Sequence, residues 1–175
     1  RYIYLRDNDS KDYWSASWQP VGKDLDSYKS ECHHGTGYTY MNAEYAGIKS
    51  SVLYYVPLDK THEVWKLKVM NDSDKPRNLS VFGYCEFTND NNDEQDQVNL
   101  QYTLFITRTY FMGNRIKQVI NENVNKGAAI NGSVAFTRFF GLAGAEVASY
   151  AGDKEAFLGR YHGYGNPVGV ENGDC

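Results

Sequence analysis

The sequence predicts an all-β protein, most simply an antiparallel β-sandwich, and three observations support this class. Apolar and polar residues alternate over short runs, which is the period of a half-buried strand. No window of 12 or more residues repeats at the 3.6-residue period of an α-helix. Clusters of Asn, Asp, Gly and Pro separate the runs, as turns separate neighbouring strands. Two sheets packed face to face are the simplest architecture for short strands of this kind.

Six strand-like runs follow the apolar residues 2–5 at which the chain opens. They are residues 38–40, 52–56 (in a run that starts at residue 48), 64–69, 79–87, 100–110 and 134–140. Turn segments separate the earlier runs, because Asn and Asp side chains satisfy nearby backbone groups and Pro fixes φ. These segments are residues 42–47, 57–61 and 71–76. Such short connections predict antiparallel neighbours in a meander.

Two of the runs also predict which side chains face the core. Leu79, Val81, Cys85 and Phe87 are expected to share the buried face of one strand. Residues 52–56 are apolar without interruption, which predicts a strand buried on both faces. Residues 144–150 are compatible with one or two turns of helix.

Composition excludes several classes of protein. The chain of 175 residues is long enough for one domain, and 18 Lys and Arg against 22 Asp and Glu give a net charge of −4. A general nucleic-acid binder needs a clustered basic face, so that class is excluded. No apolar run approaches the ~20 residues of a membrane-spanning helix. Aromatic residues make up 15% of the chain, which excludes a disordered protein.

The cysteines and the termini lead to two expectations. Cys32, Cys85 and Cys175 form an odd set without C-x-x-C spacing. This pattern favours thiols in a reducing compartment over a disulfide framework, so we expect a cytoplasmic protein. The chain begins at Arg1 without a signal peptide and ends without a finished terminus, so we expect a piece of a longer protein.

Cys32, His33 and His34 place three potential zinc ligands side by side. Successive residues of a strand point to opposite faces, so the three side chains cannot readily reach one ion. We therefore expect no metal site. The sequence also lacks the G-x-S-x-G, P-loop and dinucleotide-binding patterns that indicate nucleophilic catalysis or cofactor binding.

Carboxylates lie beside tryptophans near the start of the chain. The residues are Asp7, Asp9, Asp12, Trp14, Trp18, Asp24 and Asp26. Carboxylates accept hydrogen bonds from sugar hydroxyls, and an aromatic ring covers the apolar face of a pyranose, so the cluster could bind a sugar. The same residues could instead supply a tight turn and the core beneath it. Composition favours this structural interpretation and leaves the other open.

A series of short segments, in order along the chain, resembles one family. They are residues 2–7 (YIYLRD), 12–15 (DYWS), 17–21 (SWQPV), 34–38 (HGTGY), 45–48 (YAGI), 56–58 (VPL), 63–67 (EVWKL), 86–87 (EF), 99–101 (NLQ) and 153–159 (DKEAFLG). Together they resemble the N-terminal β-sandwich, or supersandwich, of glycoside hydrolase family 94, the cellobiose and chitobiose phosphorylase family. The resemblance is dense up to residue 102 and thin over residues 103–150.

The resemblance implies a function for a longer protein. Members of this family are cytoplasmic, usually dimeric, inverting phosphorylases. They split a β-glucosidic disaccharide such as cellobiose with inorganic phosphate, giving α-glucose 1-phosphate and a free sugar. Residues 1–175 would then be a sandwich, incomplete at both ends, attached to an (α/α)₆ barrel that holds the catalytic Asp and the phosphate site. The catalytic residues would lie outside this chain, and inorganic phosphate would be a co-substrate, with no cofactor required.

The resemblance also implies a substrate-binding segment. In the family, an Asn-x-Gln-Arg segment of the sandwich holds the acceptor sugar, and residues 99–102 correspond to it. Asn99 and Tyr102 are therefore the candidate substrate-binding residues, next to the acidic loop at residues 89–96. Tyr102 stands where cellobiose phosphorylases have Arg, and a phenol cannot replace the donor fork of a guanidinium. Glucose linked β-1,3, N-acetylglucosamine or an oxidised sugar is thus as plausible an acceptor as glucose linked β-1,4.

Two alternatives from other functional classes stay open. The first is a free-standing carbohydrate-binding sandwich that uses Trp14, Trp18 and its tyrosines as a stacking surface. The second is a structural dimerisation module within a larger enzyme. Within the family, both tryptophans and His34 are expected to be structural, and His33 stands where the motif usually has Arg.

Overall fold

The computed structural model describes residues 1–87, 107–120 and 137–175. The elements in these residues are β1 (Tyr2–Asp7), β2 (Tyr13–Ser15), β3 (Lys29–His34), β4 (Tyr38–Tyr45), β5 (Ile48–Tyr55), β6 (Val64–Asn71), β7 (Leu79–Tyr84), β8 (Thr107–Phe111), β9 (Arg115–Ile120), β10 (Thr137–Gly141), α1 (Lys154–Leu158) and α2 (Val168–Asn172). The chain forms two compact units. Unit 1 contains Arg1–Tyr84 and Phe157–Asp174, and unit 2 contains Cys85–Ala156 and Cys175. The predicted all-β class is confirmed.

Unit 1 contains an antiparallel four-stranded sheet in the order β3-β4-β5-β6. The register places Val52 of β5 opposite Met41 of β4 and opposite Leu67 of β6. Along β5, buried and half-exposed residues alternate strictly, with Ile48, Ser50, Val52 and Tyr54 buried. One face of the sheet therefore packs on a core, as in most antiparallel sheets. The prediction that residues 52–56 are buried on both faces is wrong, because this sheet has a single packed face.

The second sheet of unit 1 is antiparallel and has the order β2-β1-β7. Ile3 and Leu5 of β1 and Trp14 of β2 join the same hydrophobic cluster as Val52 and Tyr54 of the other sheet. The two sheets therefore form a sandwich around one core. The predicted meander is confirmed for β4, β5 and β6, whereas β7 leaves that sheet to pair with β1.

The other side of β1 is covered by the second segment of unit 1, residues 157–174. The rings of Tyr4 and Tyr84 lie 6.2 Å and 5.1 Å from the ring of Phe157, measured between centroids. The Tyr4 hydroxyl donates a hydrogen bond of 2.9 Å to the backbone oxygen of Tyr164. Burial raises the pKa of Tyr4 well above the ordinary value for a phenol. Strand β1 is thus buried on both faces, and it is the central strand of the unit.

A buried arginine also ties β1 to this second segment. Arg6 donates hydrogen bonds to the side chain of Asn8 (2.6 Å) and to the backbone oxygen of Glu171 at the end of α2 (3.3 Å). Helix α2 ends at Gly173, whose φ of 78° is a left-handed conformation that glycine adopts without strain. A Cβ at Gly173 would lie 2.9 Å from the Arg6 guanidinium. Glycine therefore serves both the helix end and the close approach of the arginine.

Unit 2 contains an antiparallel sheet in the order β10-β9-β8. The ring of Phe111 stacks on the ring of Tyr150 at 4.2 Å between centroids. The side chain of Asn114 donates to the backbone oxygen of Ala145 (2.8 Å) and accepts from the backbone N–H of Val147 (3.1 Å). Neither of the two short helices in the described part of the chain has the length or apolar character needed to cross a lipid bilayer.

Several predicted elements differ from the structure. Strand β7 stops at Tyr84, and its buried side chains are Phe82 and Tyr84, whereas Val81 is exposed. The predicted buried face, with Leu79, Val81, Cys85 and Phe87, is wrong, because the Tyr84 ring stacks on the ring of Phe157 and the buried side chains lie on that face. Leu79 of the predicted set is partly buried against the core of unit 1. Residues 144–150 are not helical, and β3 and β9 were not predicted. Residues 88–106 and 121–136, which include parts of the last two predicted runs, lie outside the described residues.

Candidate functional site

The two residues assigned to the acceptor sugar, Asn99 and Tyr102, lie outside the described residues. Their proximity to a substrate site therefore stays a prediction. The described residues hold the other candidates of the sequence analysis, namely the carboxylates and tryptophans near β2 and the Cys-His-His segment of β3.

The tryptophans near β2 serve the fold. Trp14 is 1% exposed and its ring lies 5.2 Å from the ring of Tyr45, so it has no free face for a sugar. Trp18 is partly buried against the core, and its indole N–H donates to the backbone oxygen of Lys23 at 2.7 Å. Tyr28 holds the loop between them, because its hydroxyl accepts from the Trp18 backbone N–H (2.8 Å) and donates to the Ser15 backbone oxygen (2.7 Å). The structural interpretation of Trp14 is confirmed.

The carboxylates in this region are also engaged by the protein itself. Asp7 accepts from the Arg77 guanidinium, with 2.8 Å between its Oδ2 and Nε. Asp12 accepts from Lys23 (2.5 Å) and from the Tyr45 hydroxyl (2.8 Å). Asp7, Asp12 and the two tryptophans are therefore parts of a turn and a strand edge that the protein itself holds in place, and they do not form an open sugar site.

Electrostatics agree with this structural role. Burial alone would raise the pKa of Asp7 and of Asp12, but hydrogen bonds and the nearby cation outweigh it in both, so each pKa lies below its ordinary value. Burial and the hydrogen bond to Asp12 raise the pKa of Tyr45 to about 12. Neither carboxyl is held protonated near neutral pH, so neither is poised as a general acid.

The Cys-His-His segment lies on β3, an edge strand whose six residues are all exposed. The Cys32 Sγ lies 3.3 Å from His34 Nε2, and the His34 Nδ1 lies 3.0 Å from the Thr39 Oγ1 of β4. His33 belongs to the opposite face, where its Nε2 is 2.8 Å from a carboxylate oxygen of Glu31. The predicted placement of adjacent residues on opposite faces is confirmed, with His33 on one face and Cys32 and His34 together on the other. Among the described residues, no group of three or more His, Cys, Asp or Glu side chains could hold a metal ion.

The turn between β3 and β4 depends on one glycine. The Gly35 N–H donates to the Tyr38 backbone oxygen at 2.9 Å and closes the hairpin. The Tyr38 ring lies over Gly35 so closely that a Cβ there would be 2.3 Å from the nearest ring carbon. The hairpin thus fixes Tyr38 and brings His34 opposite Thr39.

The unpacked face of the four-stranded sheet, called here the outer face, continues from this hairpin. It consists of alternate residues, which are Lys29, Glu31, His33, Tyr38, Tyr40, Asn42, Glu44, Lys49, Ser51, Leu53, Tyr55, Val64, Lys66, Lys68 and Met70. One end is aromatic and apolar, with Tyr38 opposite Tyr55. The other end is charged, with Lys29 3.8 Å from Glu44. Such a surface can stack on a ring and can donate and accept hydrogen bonds.

Some structurally important partners were not found from the sequence. Nothing in the sequence pattern identifies Arg77 as the partner of Asp7, because 70 residues separate them. Thr39 could have been found, because a hairpin closed at Gly35 and Tyr38 places residues 34 and 39 opposite each other.

Comparisons with known proteins define the class of this chain. Residues 1–175, the whole chain, match the family model described as "Glycosyl hydrolase 94, supersandwich domain". The chain therefore belongs to this family, and the resemblance drawn from its sequence segments is confirmed.

Its relatives are disaccharide phosphorylases. The chain is 35% identical to an N,N'-diacetylchitobiose phosphorylase of Vibrio furnissii and 35% identical to one of Vibrio proteolyticus, with 99% of the chain covered in each case. It is 28% identical to a solabiose phosphorylase of Paenibacillus borealis, with 100% of the chain covered. The chain spans about a fifth of the length of these relatives, 21% in each.

Proposed function

We propose that residues 1–175 are the N-terminal supersandwich part of an inverting disaccharide phosphorylase. The observation that carries the proposal is the match to N,N'-diacetylchitobiose phosphorylases along 99% of this chain, together with the family match over all of it. The full-length enzyme would convert a β-linked disaccharide and inorganic phosphate into an α-sugar 1-phosphate and a free sugar. Within the cellobiose-like class, an N-acetylated disaccharide is favoured over cellobiose, because the two relatives that are 35% identical over 99% of this chain carry that substrate in their names.

The chemistry explains why this part need not hold the catalytic residues. An inverting glycosidase uses one carboxylic acid to protonate the leaving oxygen and a second carboxylate to activate water. Phosphate is already an anionic nucleophile, so a cationic pocket replaces the second carboxylate. The carboxylates Asp7 and Asp12 are engaged with Arg77 and Lys23. We place the general acid and the phosphate site in a catalytic barrel of the same chain, and we expect inorganic phosphate as co-substrate and no cofactor.

The sandwich would then contribute packing against that barrel and contacts to the acceptor sugar through Asn99 and Tyr102. An amide can donate to and accept from sugar hydroxyls, and a phenol can stack on the ring. We further propose that the enzyme is a cytoplasmic homodimer, as the family resemblance implies.

The test is phosphate release by the full-length protein with a panel of sugar 1-phosphates and acceptors. We expect the highest rate with α-N-acetylglucosamine 1-phosphate and N-acetylglucosamine, and a lower rate with the glucose counterparts. Residues 1–175 alone are expected to be inactive. Turnover by residues 1–175 alone would contradict the proposed division of labour, and a preference for glucose 1-phosphate with glucose would contradict the substrate assignment.

Asn99 and Tyr102 can be tested in the same assay. Asn99→Ala is expected to raise the KM for the acceptor with a smaller effect on the KM for the sugar 1-phosphate. Asn91→Ala, in the acidic loop, is the control for an amide close in sequence. Tyr102→Arg restores the residue of cellobiose phosphorylases and is expected to shift acceptor preference toward glucose. An unchanged acceptor KM in both variants would remove this segment from the site.

A carbohydrate-binding role for the sandwich alone is a second candidate, and one observation favours it. The outer face presents Tyr38, Tyr40 and Tyr55 together with Asn42 and Ser51. Calorimetric titration with N,N'-diacetylchitobiose would detect binding that Tyr38→Ala weakens. No heat of binding at millimolar sugar would exclude this candidate.

A further inference from the structure

The part of the Cys-His-His segment that the proposed function leaves unused is the Cys32–His34 pair. Both side chains belong to one face of β3, two residues apart, and both are exposed. His34 connects Cys32 to Thr39, because its Nε2 lies 3.3 Å from the Cys32 Sγ and its Nδ1 lies 3.0 Å from the Thr39 Oγ1. The three groups thus form a chain from a thiol through an imidazole to a hydroxyl.

The backbone fixes this order. Residues i and i+2 of a strand share a face, which brings Cys32 and His34 together. The antiparallel register of β3 and β4 places His34 directly opposite Thr39, and the hairpin is closed at Gly35. Thr is β-branched and its χ1 is restricted, so it offers a defined oxygen to the imidazole. The imidazole orientation is therefore set by elements on both sides of it.

This order of groups is that of an activated nucleophile. A thiol within hydrogen-bond reach of a base, with the base oriented by a third group, is the arrangement that promotes attack by sulfur. In the tautomer with the proton on Nδ1, His34 donates to the Thr39 oxygen, and its Nε2 is left to accept from the Cys32 thiol.

We propose that Cys32 is a reactive thiol that forms a mixed disulfide with low-molecular-weight disulfides, with His34 as its base and Thr39 as a positioning residue. The attacking sulfur is Cys32 Sγ, and the thiol proton passes to His34 Nε2. A new S–S bond forms between Sγ and one sulfur of the reagent while the S–S bond of the reagent breaks. The departing thiolate either takes the proton from His34, as a basic alkyl thiolate does, or leaves as the anion while His34 releases its proton to water, so the exchange consumes no further oxidant.

The other two cysteines supply internal references. Cys85 is half-buried, and burial raises the pKa of its thiol to about 12, which disfavours the reactive thiolate. Cys175 is exposed like Cys32. Exposure alone predicts equal rates for Cys32 and Cys175, whereas the proposed base predicts a faster Cys32.

The measurement is the rate of reaction with 5,5'-dithiobis-(2-nitrobenzoate), followed by release of its coloured thiolate. It is made on single-cysteine proteins that retain Cys32 or Cys175, with chelator present. A positioned base contributes factors of about 10² and more in enzymes, so at an exposed site we expect Cys32 to react about tenfold faster than Cys175. Oxidised glutathione is then used as a second reagent, and mass spectrometry is expected to place the adduct on Cys32 first.

Alanine substitutions of the two adjacent histidines give a matched pair of variants. His34→Ala is expected to remove the tenfold advantage, whereas His33→Ala, on the opposite face beside Glu31, is expected to leave the rate unchanged. Thr39→Val keeps the shape of the side chain and removes its oxygen, and a rate between those of the two histidine variants is expected. Circular dichroism of each variant establishes that the hairpin is intact.

Equal rates for Cys32 and Cys175, or equal rates in His33→Ala and His34→Ala, would overturn the proposal. A slower reaction in His34→Ala together with an unchanged Thr39→Val would refute the positioning role and keep the base. None of these measurements requires phosphorylase activity, so the outcome is independent of the proposed function.

Discussion

The pair formed by Asp7 and Arg77 allows a stability prediction with a defined size. The Asp7 side chain is 5% exposed and that of Arg77 is 19% exposed. The Arg77 guanidinium donates to Asp7 through Nε and Nη2, and through Nη1 to the backbone oxygen of Ala46 at 2.7 Å. Removing one partner of a buried pair costs about 3–5 kcal/mol. Because Asp7 keeps the N–H groups of Asp9 and Ser10 and Arg77 is partly exposed, we expect Arg77→Ala to cost about 2–3 kcal/mol.

The assay is thermal and urea unfolding of residues 1–175, followed by the fluorescence of the tryptophans, all of which belong to unit 1. A loss of this size lowers the Tm by about 5–10 °C for a protein of this length. Lys29→Ala is the matched control, because Lys29 pairs with Glu44 on an exposed face and such pairs contribute about 0–1 kcal/mol. If the Tm of Arg77→Ala lay within about 1 °C of the Tm of Lys29→Ala, the buried pair would contribute no more than a surface pair, and the reasoning would be refuted.

The same pair sets a pH dependence. The pKa of Asp7 is lowered in the folded protein, so the unfolded state binds more protons in the acid range. The stabilisation is present above the ordinary Asp value of about 4 and is lost as the pH falls through the lower folded value. The difference between wild type and Arg77→Ala is therefore expected to be largest near pH 7 and to shrink below about pH 4. A difference that stays constant down to about pH 2 would show that the charge of Asp7 is not involved.

Three further substitutions probe local features. Tyr161 is fully exposed and has a φ of 62°, so Tyr161→Gly removes backbone strain without removing a contact. In urea unfolding, Tyr161→Gly should be more stable than wild type by about 1 kcal/mol, whereas Tyr161→Ala, which keeps a Cβ, should not. Tyr28→Phe leaves the backbone N–H of Trp18 without its acceptor and should cost about 1–3 kcal/mol of stability. Burial raises the pKa of Tyr28 to about 12, so its hydroxyl adds stability that is present below about pH 10 and lost toward pH 12. The variant should lose this alkaline dependence, which is followed by tyrosinate absorbance. Gly35→Ala places a methyl group against the Tyr38 ring and should open the hairpin, seen as faster amide exchange at residue 35. Unchanged exchange there would mean that the ring moves aside freely.

The sequence predicted the fold class because its strongest signals are local. The apolar runs at residues 38–40, 52–56 and 64–69 and the turn residues of segments 57–61 and 71–76 are short-range features, and they located β4, β5 and β6. The predicted turn at residues 42–47 was too long, because β4 extends to Tyr45 and the turn consists of residues 46 and 47. The buried face of β7 was not predictable in this way, because Tyr84 packs against the rings of Phe157 and Tyr164, more than 70 positions away in the chain. All six residues of strand β3 are exposed, and its sequence shows no alternation of apolar and polar residues. Only its pairing with β4 defines it as a strand.

The candidate site was predictable only in part, for a similar reason. Opposite faces for His33 and His34 follow from the two-residue period of a strand, and this prediction is confirmed. The contact between His34 and Thr39 requires the hairpin register, which Gly35 and Tyr38 determine together. The engagement of Asp12 by Lys23 and Tyr45 depends on how a loop folds back onto a second sheet, and no spacing rule supplies that.

The construction of unit 1 from two distant segments has a consequence during protein synthesis. Residues 1–84 leave the ribosome first, but β1 keeps one side uncovered until Phe157, Leu158 and Val170 have been made. At about 5–20 residues per second, translation of residues 85–156 takes roughly 4–14 s. For that interval the nascent sandwich displays the rings of Tyr4 and Tyr84 to the cytosol or to a chaperone. Substitutions that weaken the packing of β1 would then lower the yield of newly synthesised protein by more than their effect on the free energy of unfolding predicts.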